Sequence, residues 1–227
     1  GGTLNKLELK DGTEPELYGN ATVREFVYDR TVTAGNIATF ILPVEIPVGN
    51  VNGTVWELDE YTGSALKFTK VENGTLAANK PYLVQPSSDG PLLGNTLTNV
   101  DLKAAPETSK LIKETTDGKA YQMGTYATLK SEETITSGSG TVYGYTGGQF
   151  VKANSGTLNP FRTLFVVKGS AEAAAREISL VLGDQETGIV SITKDGEIED
   201  REVDVYDLSG RKVAQSVAGS TCLVGLQ

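Results

Sequence analysis

The most informative feature of this sequence is an absence: its 227 residues include no histidine. Without an imidazole, the chain has no Ser-His-Asp triad, no Cys-His pair, no histidine-ligated metal and no histidine general base. The single cysteine, Cys222, excludes an internal disulfide and a thiolate metal cluster. No apolar run approaches the roughly 18–20 residues that a membrane helix needs, so we expect a globular chain that is not inserted in a membrane.

Basic residues are also scarce. The chain has 20 Lys and Arg residues against 29 Asp and Glu residues, which gives a formal net charge of −9. Nucleic acids and anionic membrane surfaces both attract basic proteins, so neither is an expected partner. The acidity is concentrated between residues 184 and 207, where nine acidic residues are balanced only by Lys194 and Arg201. This concentration indicates a solvated segment.

Short runs of alternating apolar and polar residues, separated by Gly, Asn and Asp, predict an all-β protein. The clearest predicted hairpin joins residues 55–61 to residues 65–71 through Thr62-Gly63-Ser64. With a strand period of two, four apolar side chains of this hairpin share one face and form a buried patch: Trp56, Leu58, Leu66 and Phe68.

Two further hairpins are predicted, 141–145 with 149–152 and 203–208 with 211–213. Residues 163–167 are apolar on both faces, which indicates a central strand, and flanking prolines restrict the strand at 82–85 to an edge or a bounded position. The remaining expected strands lie at 23–33, 39–46 and 178–182, and one short helix is expected at 170–176.

These elements predict two domains. Residues 1–183 are expected to form an antiparallel, jelly-roll-like β-sandwich. A polar, acidic segment follows, and the alternation resumes at Val203. Residues 184–227 are therefore expected to form a small immunoglobulin-like β module.

An ordered series of short motifs makes residues 7–183 resemble a known kind of domain. The motifs are Leu7-Glu8-Leu9-Lys10-Asp11-Gly12, Val27-Tyr28-Asp29-Arg30-Thr31, Thr39-Phe40-Ile41-Leu42-Pro43, Ala78-Asn79-Lys80-Pro81-Tyr82-Leu83-Val84, Gly124-Thr125-Tyr126 and Asn159-Pro160-Phe161-Arg162. In this order they resemble a β-rich domain found near the C-termini of large Bacteroidetes surface and secreted proteins, often after leucine-rich or immunoglobulin-like repeats. The resemblance implies a secreted or outer-surface location and a non-catalytic part in adhesion, display or scaffolding. It implies a host protein or a glycan, and other domains of the parent protein, as partners.

The tail carries a second resemblance. Glu186-Thr187-Gly188-Ile189 and residues 205–213 resemble a type IX sorting-like C-terminal module of the same phylum. That family continues with one more strand after the dipeptide that corresponds to Gly225-Leu226, whereas this sequence ends at Gln227. We therefore expect an incomplete module with an unpaired strand edge that is open to a neighbouring chain.

Two alternatives to a non-catalytic role remain open. A histidine-free glycoside hydrolase would need two carboxyl groups about 5–9.5 Å apart in a cleft. The candidate carboxylates are Glu57, Asp59, Glu60, Glu132 and Glu133. All lie in patterns typical of exposed hairpins, so we expect no catalysis.

A carbohydrate-binding module would need exposed, coplanar aromatic rings. Tyr143 and Tyr145 share one predicted strand face and form the candidate ligand platform, with Tyr121 and Tyr126 nearby in sequence. Core packing is the more common use of such rings, and it is the interpretation that we favour.

No cofactor is expected, because the glycine clusters at 138–140 and 147–148 introduce no helix and no Gly-Lys-Ser/Thr follows them. Residues 195–200 offer oxygen ligands for calcium but lack the order of an EF-hand loop. A solvated linker is the preferred interpretation there. Three Asn-x-Thr tripeptides start at Asn20, Asn52 and Asn73; two of them contain Asn-Gly, a preferred turn pair.

Overall fold

A computed structural model describes residues 2–16, 19–106, 111–130, 140–146, 148–153, 156–169 and 177–183, together with the backbone of 185–187, 203–206 and 212–216. The chain divides into two compact units, Gly1–Gly188 and Ile189–Gln227. The sequence placed the limit of the first domain earlier, at residue 183. Residues 185–187 pair with the preceding strand, and for this reason they belong to the first unit.

The described chain is almost entirely β-structure, as predicted. The first unit contains β1 (Gly2–Lys10), β2 (Ala21–Asp29), β3 (Thr31–Val32), β4 (Ala38–Phe40), β5 (Ile46–Pro47), a 3-10 turn (Val48–Asn50), β6 (Thr54–Tyr61), β7 (Ala65–Lys70), β8 (Thr75–Leu76), β9 (Tyr82–Gln85), β10 (Gly90–Pro91), β11 (Leu97–Leu102), β12 (Ile112–Glu114), β13 (Ala120–Gly124), β14 (Leu129–Lys130), β15 (Gly140–Thr146), β16 (Gln149–Lys152), β17 (Thr157–Leu158), β18 (Thr163–Lys168), β19 (Glu177–Leu182) and β20 (Gln185–Thr187).

The strands of the first unit form two principal sheets. A small sheet has the order β1-β2-β11, and a large sheet has the order β12-β13-β18-β15-β16-β19-β7-β6-β9-β4, with β20 paired to β19. The large sheet curls back on itself. The backbone N–H of Thr116, beyond β12, donates to the carbonyl oxygen of Asp59 in β6 at 2.7 Å, and the Gln122 amide in β13 donates to the carbonyl oxygen of Tyr82 in β9.

The strand pairing is mostly antiparallel, as the sequence predicted, but two of the strand pairs are parallel. β1 runs parallel to β2, and β7 runs parallel to β19. Parallel neighbours cannot be joined by a tight hairpin. The chain between Lys10 and Ala21 returns to the start of β2, while β7 and β19 are brought together from distant parts of the sequence.

The predicted hairpins are present. β6 pairs with β7, β15 with β16, and, in the second unit, β21 (Val203–Tyr206) with β22 (Lys212–Ser216). β18 is a central strand between β13 and β15, as expected. Pro81 and Pro86 flank β9 in the sequence, as expected. Because β9 lies between β6 and β4, it is not an edge strand.

Several predictions fall outside the described residues. They are the helix at 170–176, the acidic segment 195–200, and the strand edge expected after Gly225. The immunoglobulin-like character of the second unit stays a prediction, because β21 and β22 are its described strands.

Two large apolar cores result from this arrangement. One lies between the small sheet and the β6-β9-β4 end of the large sheet, and Val23, Phe26, Phe40, Val55 and Val84 belong to it. The second fills the concave side of the curl. Its members include the side chains of the predicted patch, with Leu58, Leu66 and Phe68 fully buried and Trp56 packed against them.

We predict that Leu58→Ala destabilises the fold by about 2–5 kcal/mol, because it leaves a cavity opposite Phe68 in a fully buried position. Leu4→Ala is the matched control, since Leu4 is 40% exposed in β1, and its cost should stay within about 0.5 kcal/mol. Urea unfolding of both variants measures the difference. Equal costs would show that the concave side of the curl is not a packed core.

Candidate functional site

Residues from the first and last motifs meet in a half-buried ion pair. Asp11 follows β1 and Arg162 precedes β18. The two guanidinium nitrogens of Arg162 donate to the two carboxylate oxygens of Asp11 at 2.5 and 2.6 Å. The Tyr28 hydroxyl donates to the same carboxylate at 3.1 Å. This bidentate geometry fixes the orientation of both side chains, and it links the small sheet to the large sheet.

Phe161, next to Arg162 in the chain, lies where the two sheets meet. Its backbone has φ +65°, in a region that bulky residues rarely adopt. The surroundings hold it there: its N–H donates to the carbonyl oxygen of Thr125, and its own carbonyl oxygen accepts from the N–H of Ile41. The buried ring packs edge-on against Tyr28 at 5.2 Å and Tyr126 at 5.8 Å. The strained residue therefore sits at the centre of three motifs.

Asn79 connects a further motif, residues 78–84, to the same junction. Its side-chain oxygen accepts a hydrogen bond from the Tyr126 hydroxyl at 2.7 Å, and its amide donates to the carbonyl oxygen of Ala104 at 3.0 Å. Its backbone N–H donates to the carbonyl oxygen of Leu42. We refer to Asp11, Tyr28, Asn79, Tyr126, Phe161 and Arg162 as the motif junction.

Arg30 places a second guanidinium beside the motif junction. It is buried and donates to the carbonyl oxygen of Thr39 at 2.7 Å, while its Nε has no partner among the described residues. Burial, and next the positive charge of Arg162, lower the pKa of Arg30. The carboxylate of Asp11 is thus the nearby negative charge that both arginines share.

The pKa of Asp11 is lowered. Burial acts to raise it, but the hydrogen bonds and the charge of Arg162 outweigh burial. A carboxyl whose folded pKa lies below its unfolded value of about 3.9 stabilises the fold above that pH. This contribution is lost as the pH falls through the lower folded value, so the motif junction weakens in acid.

We predict that Asp11→Asn destabilises the fold by about 2–3 kcal/mol at neutral pH, because it leaves two arginines without their counter-charge. Asp29→Asn is the matched control, since Asp29 is exposed at the end of β2, and it should change little. The difference between the two variants should shrink as the pH is lowered below about 4, in urea unfolding at each pH. A pH-independent difference would contradict the assigned role of the carboxylate.

The predicted tyrosine platform does not present a ring surface to solvent at Tyr143. That side chain is fully buried in the concave core. Tyr145 shares the strand face, as predicted, but it is half-buried and packs edge-on against Phe150 at 5.3 Å. Tyr121 lies on the opposite face of the sheet, and Tyr126 belongs to the motif junction. Sugar stacking needs exposed, coplanar rings, and these four tyrosines pack in three different places.

The candidate carboxylates are held in surface contacts. Glu57 forms ion pairs with Lys80 at 2.7 Å and with Lys113 at 3.4 Å. Asp59 accepts a hydrogen bond from the Thr69 hydroxyl at 3.1 Å, and Glu60 is exposed. Glu132 and Glu133 lie outside the described residues. These contacts join β6 to its neighbours across the surface.

An open, polar concavity lies elsewhere, among the loops that flank β10. It has a volume of about 320 Å³ and is lined by Gly49, Asn50, Val51, Asn52, Ser88, Asp89, Pro91, Gly94 and Asn95. We call it the polar hollow. The side chain of Asn52 shapes it: its amide donates to the carbonyl oxygens of Ser88 and Pro91, and its oxygen accepts from the hydroxyls of Ser87 and Ser88.

The turn at Asn52-Gly53 lies against the chain beyond β9. A Cβ atom on Gly53 would collide with the backbone carbonyl oxygen of Gln85, and Gly53 has φ +122°. Gly74, in the second Asn-Gly turn, has φ +92° and open space around it. The two turns share a sequence but differ in their packing.

We predict that Gly74→Ala costs about 1–2 kcal/mol, since an L side chain is strained at positive φ. Gly53→Ala should cost distinctly more, because its Cβ also collides with the backbone at Gln85. Thermal unfolding of the two variants separates the collision from the strain. Equal losses in melting temperature would show that the turn at Asn52 is not tightly packed.

Within the described residues, no group of three or more acidic or cysteine side chains could hold a metal ion, and the calcium candidate at 195–200 lies outside them. No helix in the described part of the chain is long and apolar enough to cross a membrane.

The sequence did not identify these contact residues. Asp11, Arg30 and Arg162 occur in it only as parts of the motifs that carry the resemblance, and Asn52 only as a turn residue. The loop position of Asp11 and the Pro-Phe-Arg turn gave no periodic signal that could pair them.

Comparison of the chain with protein-family models, with curated proteins and with solved structures finds no match. The resemblance to Bacteroidetes surface domains therefore stays a prediction that rests on the chain's own motifs.

Proposed function

We propose that this chain is a non-catalytic module of a secreted or surface-exposed bacterial protein and that it contributes to adhesion, display or scaffolding. The observation that supports this proposal best is the motif junction. The residues that carry the resemblance direct their polar groups at one another, in Asp11–Arg162, Tyr28–Asp11 and Tyr126–Asn79. Groups used in this way hold two sheets together and are not aimed at a substrate.

The long-range character of the junction also suits a module that must stay folded outside the cell. The ion pair joins positions 151 residues apart in the chain, so it links the small sheet to the start of β18. Long-range contacts of this kind resist local opening and proteolysis. A module outside the cell needs that resistance.

Carbohydrate binding is the second candidate, and the polar hollow is the observation that favours it. Its volume lies at the low end of the range of small-molecule sites. Asn50, Asp89 and Asn95 line it with amide and carboxylate groups that suit sugar hydroxyls. The lining contains no aromatic ring, so such a site would depend on hydrogen bonds alone.

We predict that the intact chain binds a component of a host-protein panel and that it hydrolyses no glycan in a parallel substrate screen. Binding to a glycan array that is lost in Asn95→Ala would instead support the second candidate. Glycan turnover that is lost in Glu57→Gln and retained in Glu60→Gln would overturn the non-catalytic assignment. Both glutamates lie on β6, and both variants remove one negative charge, so they form a matched pair.

The location is tested separately, with antibodies raised against the chain. We expect labelling of intact cells of the producing bacterium, or recovery of the protein from the medium. Labelling that requires permeabilised cells would overturn a secreted or surface location.

A further inference from the structure

The two Asn-Gly dipeptides differ in the chemical exposure of their asparagines. Asn73 and Gly74 are both exposed in the turn between β7 and β8. The described residues provide no hydrogen-bond partner for the Asn73 carboxamide or for the N–H of Gly74. In contrast, the carboxamide of Asn52 takes part in four hydrogen bonds, and the N–H of Gly53 donates to the carbonyl oxygen of Val51 at 2.9 Å.

We propose that Asn73 is a site of spontaneous deamidation and that the fold protects Asn52 from the same reaction. In this reaction the backbone nitrogen of Gly74 attacks Cγ of Asn73. The new N–C bond closes a five-membered succinimide, the bond from Cγ to Nδ2 breaks, and ammonia leaves with the proton of the Gly74 N–H. Water then adds to either ring carbonyl and opens the ring, which gives aspartate or isoaspartate at position 73.

Each requirement of this reaction is met at Asn73. The amide must turn so that its carbon faces the next backbone nitrogen, and a carboxamide without partners turns freely. The attacking nitrogen must not be engaged as a donor, and the next residue must not crowd it; glycine has no side chain to do so. The space around Gly74 is open to 4 Å. Asparagine is among the thermolabile residues of proteins for this reason.

The same requirements fail at Asn52. Its carboxamide must release Ser87, Ser88 and Pro91 before it can turn. Gly53 must give up its donor bond to Val51 and move away from Gln85. Because several hydrogen bonds must open together, the reactive conformation of Asn52 is rare in the folded state.

The product changes the turn in two ways. A new carboxylate appears beside Glu72, whose ion pair with Lys70 lies at the end of β7, so the net charge of the chain becomes more negative by one. In the isoaspartate product the backbone also gains one methylene group before Gly74. The carbonyl oxygen of Gly74 accepts from the N–H of Val48 at 3.0 Å, so this link to the 3-10 turn is the contact that the longer backbone disturbs.

The test is peptide mapping by mass spectrometry after incubation of the intact, folded chain in mildly alkaline buffer. The measured quantity is the replacement of an amide by a carboxyl group in the peptides that contain Asn73 and Asn52. We expect Asn73 to convert faster than Asn52 by on the order of tenfold or more, since the hydrogen bonds of Asn52 must open first. Chromatography should resolve two products at residue 73, aspartate and isoaspartate.

Two controls keep the test decisive. In denaturant the two sites should convert at similar rates, because they share the Asn-Gly sequence and the protection at Asn52 is lost with the fold. Asn73→Gln should abolish the conversion at residue 73, because glutamine would have to form a larger ring. Since residue 73 is exposed in a turn, this variant should fold as the unmodified chain does. Equal conversion of the two sites in the folded chain, or faster conversion at Asn52, would overturn the proposal.

Discussion

The pairing of Asp11 with Arg162 is the interaction on which the arrangement of the first unit depends. One carboxylate, with two bonds from Arg162 and one from Tyr28, offsets two buried or half-buried guanidinium groups. Without it, Arg30 and Arg162 would be like charges close together in an apolar environment, which is costly. The carboxylate thereby fixes the small sheet against the large one. Next to this pair, the strained backbone of Phe161 is held by its hydrogen bonds with Thr125 and Ile41 and by the packing of its ring on Tyr28.

The local pattern of the sequence predicted much of the fold. Trp56, Leu58, Leu66 and Phe68 share a face because side chains alternate along strands, and a three-residue turn brings the two strands together. The same period placed Tyr143 and Tyr145 on one face. The strand period does not predict that this face lies on the inside of a curled sheet, because the curl depends on the pairing of strands that are far apart in the chain.

The long-range features were beyond the reach of sequence patterns for a related reason. Asp11 and Arg162 lie in loops, where no period applies, and the pairing of β7 with β19 in parallel brings Ala65 to Ser179. Neither contact leaves a local trace in composition. The two Asn-Gly pairs show a similar limit: the sequence predicted turns at both, but only the packing of Gly53 against Gln85 separates a fixed turn from an open one.

The motif junction also constrains how function should be sought. The residues that make this chain resemble a class of surface domains lie where two sheets meet, and their polar atoms bond to each other or to the backbone. A resemblance carried by such residues identifies a scaffold, and it gives no information about a ligand. Binding would then reside in loops that the scaffold holds in place. The polar hollow has this character, because the Asn52 side chain holds Ser88 and Pro91 by hydrogen bonds, and Asn50 and Asn95 also line it. The residues that line the hollow are separate from those of the motif junction, so the lining can vary while the junction that holds the two sheets stays unchanged.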